Sequence, residues 1–215
     1  MTNKVKALLI VLGISAVVTT GVILFKKKKK IKEVTDGSGN TIQLNDVQSA
    51  IITEANRWVG QEEIEGNNGF VDKAFEKKMR AIGWKEPDAY CAAFVKLVMT
   101  EISSGAAKTF FTKNLTLGAE QNFINLSKKN DYAEKIQTPE AGCIVCYKHH
   151  NEICESFDGN MMTVISANGP LGNGKTYQSG RPVEGVVKKA RKPNTDIDVK
   201  TNNTFLGYIR IKKIS

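Results

Sequence analysis

The chain has 215 residues, 41% of them apolar, which is enough for one globular domain with a real core and an accessory segment. Its formal charge of +9 would suit an anionic partner, yet residues 1–33 contain eight Lys and one Glu, so +7 of that charge lies there and +2 on the rest. The basic character therefore belongs to the N-terminus and gives nucleic-acid binding by the folded part little support.

In chain order, the first feature is Ala7 to Phe25, 19 residues without a charge. At roughly 1.5 Å per residue it would reach about 29 Å, the thickness of a bilayer's hydrocarbon core. A cleavable signal would have a shorter apolar part and a small-residue cleavage site, whereas Lys26 to Lys30 follow here. Residues 1–32 are thus expected to form a single-pass anchor in a bacterial inner membrane or a virion membrane, with the lipid bilayer as a partner. More Lys follow the span than precede it, which by the positive-inside rule favours the cytoplasmic side for the domain, but the sequence leaves the side open.

Residues 33–45, with Asp36-Gly37-Ser38-Gly39-Asn40, read as a flexible linker, and a catalytic domain is expected over 46–215. Asn45 or Asp46 can cap a helix whose apolar positions Val47, Ile51, Ala55 and Trp58 recur three or four apart, with Gly60 ending it. A loop with Glu62, Glu63 and Asn67-Asn68 follows. Helices are then expected from about Phe70 to Ile82, from Cys91 to about Ile102 and over Leu117 to Leu126. Strands are expected at Cys143 to Tyr147, Ile153 to Phe157, Met161 to Ile165, Val183 to Lys188 and Phe205 to Ile211. Helices first and antiparallel strands later give an α+β domain.

The chemistry centres on Cys91. Gly83, Pro87 and Asp88 lead a turn into it, and Ala92, Val95, Val98 and Met99 continue at helical spacing, so the thiol belongs in a first helical turn. Free backbone N–H groups there stabilise a thiolate and can hold an oxyanion. Downstream come His149-His150 and, at the end of a later strand, Asn168. Cys, then His on a strand, then Asn is the order of a papain-like triad.

The chain resembles the CHAP and NlpC-type cysteine amidohydrolases, the peptidoglycan hydrolases that include phage lysins, on several motifs. Trp58, Gly60, Glu63, Gly66, Asn67 and Asn68 fit the pattern WxGxxExxGxNN. Tyr90 to Val95 fit WCAAFV, Gly142 to Tyr147 fit GDIVxF, His150 fits GHVGIV and Asn168 fits EGN. Tyr90 replaces a Trp, Cys143 an Asp, His149 a Gly, and Ser166-Ala167 replace Glu-Gly. The resemblance covers roughly residues 46 to 211. It implies a papain-like α+β fold, with Cys91 as nucleophile, His150 as general base and Asn168 orienting the imidazole. The substrate it implies is peptidoglycan, cut at an amide bond without a cofactor. Glu63, Asn68 and Tyr90 are candidates for the substrate cleft.

His150 rather than His149 is assigned because neighbours on a strand face opposite ways and the count from His150 to Asn168 matches the family hairpin. Two other motifs overlap this region. Gly169 to Thr176 satisfies GxxxxGK[ST], but the turn-rich Tyr177 to Pro182 follows it instead of a helix, so no nucleotide is expected. Cys143, Cys146, His150 and Cys154 have a zinc-knuckle look, but residues three apart on a strand point to opposite faces, so no metal is expected. Two alternatives stay open: a catalytically silent membrane-tethered wall-binding or virion structural protein, and a cytoplasmic-face cysteine peptidase or acyltransferase.

Overall fold

Residues 30–198 and 200–215 are described by a computed structural model. Helix α1 (Asp46–Asn56) starts where Asn45 accepts a hydrogen bond from the Gln48 N–H while the Gln48 side chain accepts from the Asn45 N–H, a reciprocal cap. The next helix, α2 (Lys73–Ala81), begins later than its apolar pattern suggests. Asp72 caps it through the N–H groups of Ala74 and Phe75, and Phe70 is held instead in a bridge to Glu63. Helix α3 (Cys91–Ile102) is buried on nearly every side, because its residues are apolar all round and not on one stripe. It packs on α1 and α2, on α4 (Gly105–Asn114) and α5 (Ala119–Ser127), and on the sheet.

The strands β3 (Ala133–Ile136), β4 (Ile144–Tyr147), β5 (Asn151–Phe157), β6 (Met162–Pro170), β7 (Glu184–Arg191) and β8 (Phe205–Ile211) form one antiparallel sheet in the order β3-β8-β4-β5-β6-β7. Ile144, Cys146, Ile153, Ile165 and Ala167 join the core shared with the helices. Cys143, Val145, Tyr147, Cys154, Met162, Val164 and Tyr208 pack together in a separate cluster. Cys143 and Cys146 thus contribute to different clusters, as the strand's alternation requires.

Two expectations change. The transmembrane helix expected over Ala7 to Phe25 falls outside the described residues, and among the described residues no helix is long and apolar enough to cross a membrane. The longest, α3, has 12 residues, roughly 18 Å, and its apolar surface is spent on the protein core. Among the described residues the architecture is therefore corrected to an α+β fold of five helices and a six-stranded antiparallel sheet, and none of those helices could cross a membrane. Second, the stretch read as linker contains a hairpin of two strands, β1 (Glu33–Thr35) paired to β2 (Thr41–Gln43). Asp36 closes its turn by accepting from the N–H groups of Ser38 and Asn40 at 3.0 and 2.8 Å. Val34 and Leu44 then pack on Ile52 and Ala141.

An aromatic group sets the entrance to α3. Phe70 packs against Phe75, Trp84 and Tyr90 at centroid distances of 4.7, 4.9 and 4.8 Å, and Trp58 meets Phe75 at 4.9 Å with the rings tilted. Each such contact adds about 0.5–1.5 kcal/mol beyond area burial. The Trp84 indole also donates to the Asp88 carbonyl at 2.7 Å, which fixes the turn leading to Cys91.

Candidate active site

Cys91 is the first residue of α3, and the residue before it, Tyr90, offers no side-chain cap. The first-turn N–H groups consequently lack the acceptor that a Ser or Asp would supply. The sulfur takes that place, with the N–H groups of Ala92 and Asn151 directed at it. Burial alone would raise the thiol's pKa. The His150 charge and hydrogen bond, together with those two N–H groups, outweigh burial and hold it below its ordinary value.

His150 lies immediately before β5, at the end of a tight turn in which the Tyr147 N–H donates to the His150 carbonyl at 2.8 Å. The turn is tied down from two sides. Asn203 accepts from the His149 N–H at 2.9 Å, and Asn151 donates from its side chain to the His150 carbonyl at 3.0 Å. Asn151 is itself buried and held by Asn122 of α5 at 3.0 Å. His149 is exposed, and only its carbonyl oxygen approaches the Cys91 sulfur, at 3.9 Å.

On the far side of the imidazole, Nε2 lies 3.2 Å from Glu152 Oε1 and 3.0 Å from Ser166 Oγ. With Nε2 so committed, Nδ1 is the nitrogen left for the thiol. Glu152 is fully buried, and its carboxylate also meets Lys189 at 3.1 Å and Arg191 at 3.0 Å. Burial would raise its pKa, but His150, Arg191 and Lys189 hold it well below the ordinary carboxylate range. Burial likewise opposes a charged His150. The Cys91 thiolate and then Glu152 prevail and raise the imidazole to about 9. The three groups form a buried chain of thiol, imidazole and carboxyl, with Glu152 and Cys91 both favouring the charged ring.

The structure therefore brings Cys91 and His150 together and gives Asn168 a different place. Asn168 sits where the β6–β7 register shifts between Ser166 and Gly169, with φ of 63°. This bulge takes it out of the alternation that Ser166 follows, and its backbone N–H faces the Tyr90 hydroxyl. The side chains found at the imidazole Nε2 are those of Glu152 and Ser166. Glu152 was legible in principle, since a residue two beyond His150 on an extended chain shares its face.

The cleft candidates also separate. Tyr90 is fully buried, and Glu63 is 2% exposed; its carboxylate accepts from the Asn67 N–H at 2.8 Å and faces the Tyr90 hydroxyl. Burial pushes Glu63 up to about 7. Asn68 is exposed, with its side chain bonded to the Glu65 carbonyl at 2.6 Å, and its neighbour Asn67 is the one joined to Glu63. The loop at Gly169 to Thr176 leads to a bridge between Thr176 and Pro182, and Lys175 pairs with Glu62.

Among the described residues no three His, Cys, Asp or Glu side chains converge as metal ligands. Comparison with protein-family models, with curated proteins and with solved structures finds no match for this chain.

Proposed function

We propose that this protein is a cysteine hydrolase that cleaves peptide amide bonds of peptidoglycan. The observation that carries the hydrolytic part is the pairing of the Cys91 thiol, at the start of α3, with a His150 ring whose other nitrogen is held by buried Glu152. The choice of peptidoglycan rests on the resemblance of the residues around Trp58, Cys91, Gly142 and His150 to the CHAP and NlpC-type amidohydrolases.

In this reading the Cys91 thiolate attacks the amide carbonyl, forming the carbon–sulfur bond and placing the negative charge on the carbonyl oxygen at the N-terminus of α3. The His150 imidazolium then gives its proton to the departing nitrogen, and the amine leaves. Neutral His150 next takes a proton from water, the hydroxide attacks the thioester, and the acid product departs as Cys91 returns to the thiolate. Glu152 keeps the ring in one orientation and supports its charge throughout.

The test is hydrolysis of purified peptidoglycan by the full chain and by Cys91→Ala. Release of new amino groups by the parent and none by the variant is expected, since Ala fits the same helical position but cannot form the acyl intermediate. Undiminished release by the variant would remove Cys91 from the chemistry.

A further inference from the structure

Among the described residues, four buried side-chain atoms have no partner within hydrogen-bond distance: Glu63 Oε2, Asn67 Oδ1, the Tyr90 hydroxyl and Asn168 Oδ1. They belong to one neighbourhood. The Asn67 N–H bonds the Glu63 carboxylate at 2.8 Å, Glu63 faces the Tyr90 hydroxyl, and the Asn168 backbone N–H points to that same hydroxyl. Tyr90 directly precedes Cys91 and is 0% exposed. An unmade hydrogen bond on a buried group costs about 1–3 kcal/mol, so folded chains rarely collect several in one place without water or a ligand to satisfy them.

We propose that Glu63, Asn67, Tyr90 and Asn168 form a subsite that binds a primary ammonium group of the peptide substrate, beside the bond that Cys91 attacks. The inference rests on the reading of Cys91 as a nucleophile in a substrate cleft. Three of the four orphan atoms are carbonyl or carboxylate oxygens, which only accept, and the hydroxyl accepts as well; an ammonium brings three donors and no acceptor. Glu63 supplies the one carboxylate among them, a charge matched to an amine and too small for a divalent ion. The basic residues of the facing loop are engaged elsewhere, Arg181 with Glu184 at 3.5 Å and Lys175 with Glu62. Burial holds Glu63 at about 7, and a bound ammonium would ionise it, so the subsite strengthens as pH rises through that range. The other groups facing Glu63 are Glu184, Arg181, Tyr90 and Tyr177. Of these Glu184 raises its pKa and Arg181 lowers it.

The experiment uses thiol chemistry and not hydrolysis. The full chain is treated with 2-aminoethyl, methyl and 2-sulfonatoethyl methanethiosulfonate, and modification of Cys91 is followed by intact mass, with Cys91→Ala reporting any reaction at the other cysteines. The ratio of the cationic to the neutral rate cancels the reactivity of the thiolate itself. It is expected to exceed the ratio for glutathione about tenfold at pH 8 and to fall several-fold at pH 6, with the anionic reagent slowest. Glu63→Gln should bring the ratio to that of glutathione and abolish its pH dependence, and Tyr90→Phe should lower it in part. Protection of Cys91 from the neutral reagent by an alanyl-lysine amide, acetylated at one amine or the other, then tells an α-amine from a side-chain amine. A parent ratio equal to that of glutathione, or one unmoved by Glu63→Gln, overturns the subsite and leaves the nucleophile standing. A Cys91 that reacts with none of the reagents overturns both.

Discussion

Glu152 stands directly opposite Ser166 across the β5–β6 ladder, and both side chains reach Nε2 of His150. In the amidohydrolases that the sequence resembles, position 166 carries Glu. Here it carries Ser, and a carboxylate arrives from the neighbouring strand instead. Because cross-strand partners have Cβ atoms only about 4.5–5.5 Å apart, either position can present an oxygen to the same ring nitrogen.

Removing that anion tests its role. Glu152→Gln keeps the shape and one acceptor but takes away the charge, so the His150 pKa, raised in part by Glu152, should fall toward the ordinary value of 6.5. The rate should drop with it. The change also leaves Lys189 and Arg191 facing a neutral group, and breaking a buried pair costs about 3–5 kcal/mol, so folding must be followed alongside. NMR titration of the His150 ring separates the two effects. Asn168→Ala should leave that titration nearly unchanged, and a large shift there would restore Asn168 as the orienting group.

The two adjacent histidines should differ sharply. His150→Ala removes the proton carrier and should cost on the order of 10²–10⁴-fold in kcat/KM. His149→Ala should cost little. Its side chain is exposed, and what fixes the turn is the backbone N–H of residue 149 on Asn203, which alanine retains. Kinetics on purified peptidoglycan that rank the two variants the other way would contradict the assignment.

Much of this site is written in short-range sequence chemistry. Pro87 and Asp88 before an apolar run predict that Cys91 opens a helix, and it does. The five strands read from apolar runs are present, although β6 continues to Pro170 where Met161 to Ile165 was expected, which carries Asn168 into a bulge. Local patterns miss what only the assembled sheet supplies. Buried Glu152 looks like a solvated charge until Lys189 and Arg191 arrive from β7, some forty residues later. Helix α4 and strand β3 are missed for a related reason. Ser103-Ser104-Gly105 reads as a break, and Ala-Glu-Lys-Ile is too short and polar to signal a strand until β8 pairs with it. Asp36 to Asn40 has a linker's composition, but composition does not reveal that Val34 and Leu44 have a partner in Ile52.

The pH dependence of the reaction follows from the coupled pair. Hydrolysis requires the thiolate and the imidazolium together. The thiol is held below its ordinary value, chiefly by His150 acting against burial, and the imidazole is raised to about 9, so kcat/KM should fall on the alkaline side near pH 9. In Glu152→Gln the alkaline limb should move to lower pH. An alkaline limb that stays in place in this variant would mean that Glu152 does not support the imidazolium.

Stability should respond to Glu63 with the opposite sign from an ordinary paired carboxylate. Its folded pKa of about 7 lies above the ordinary value of 4.5, chiefly because burial disfavours the charged form. Below 4.5 the group is protonated whether the chain is folded or not, and it contributes no pH dependence. Between 4.5 and about 7 the unfolded chain releases a proton that the folded chain keeps, so stability declines as pH rises. Above 7 the whole penalty has been incurred, at most about 3 kcal/mol from the size of the shift and less wherever water reaches the carboxyl. Glu63→Gln removes the ionisation and preserves the bond from the Asn67 N–H. Denaturant melts should show the variant about as stable as the parent at pH 4.5 and more stable at pH 8, by about 1–3 kcal/mol. Glu152 acts in the reverse direction, since its folded pKa is depressed and its contribution is lost as pH falls below 4.5. The comparison therefore belongs between the two proteins at each pH. Equal stability of parent and variant at pH 8 would show that Glu63 ionises without penalty, and that its carboxylate is already satisfied in the folded chain.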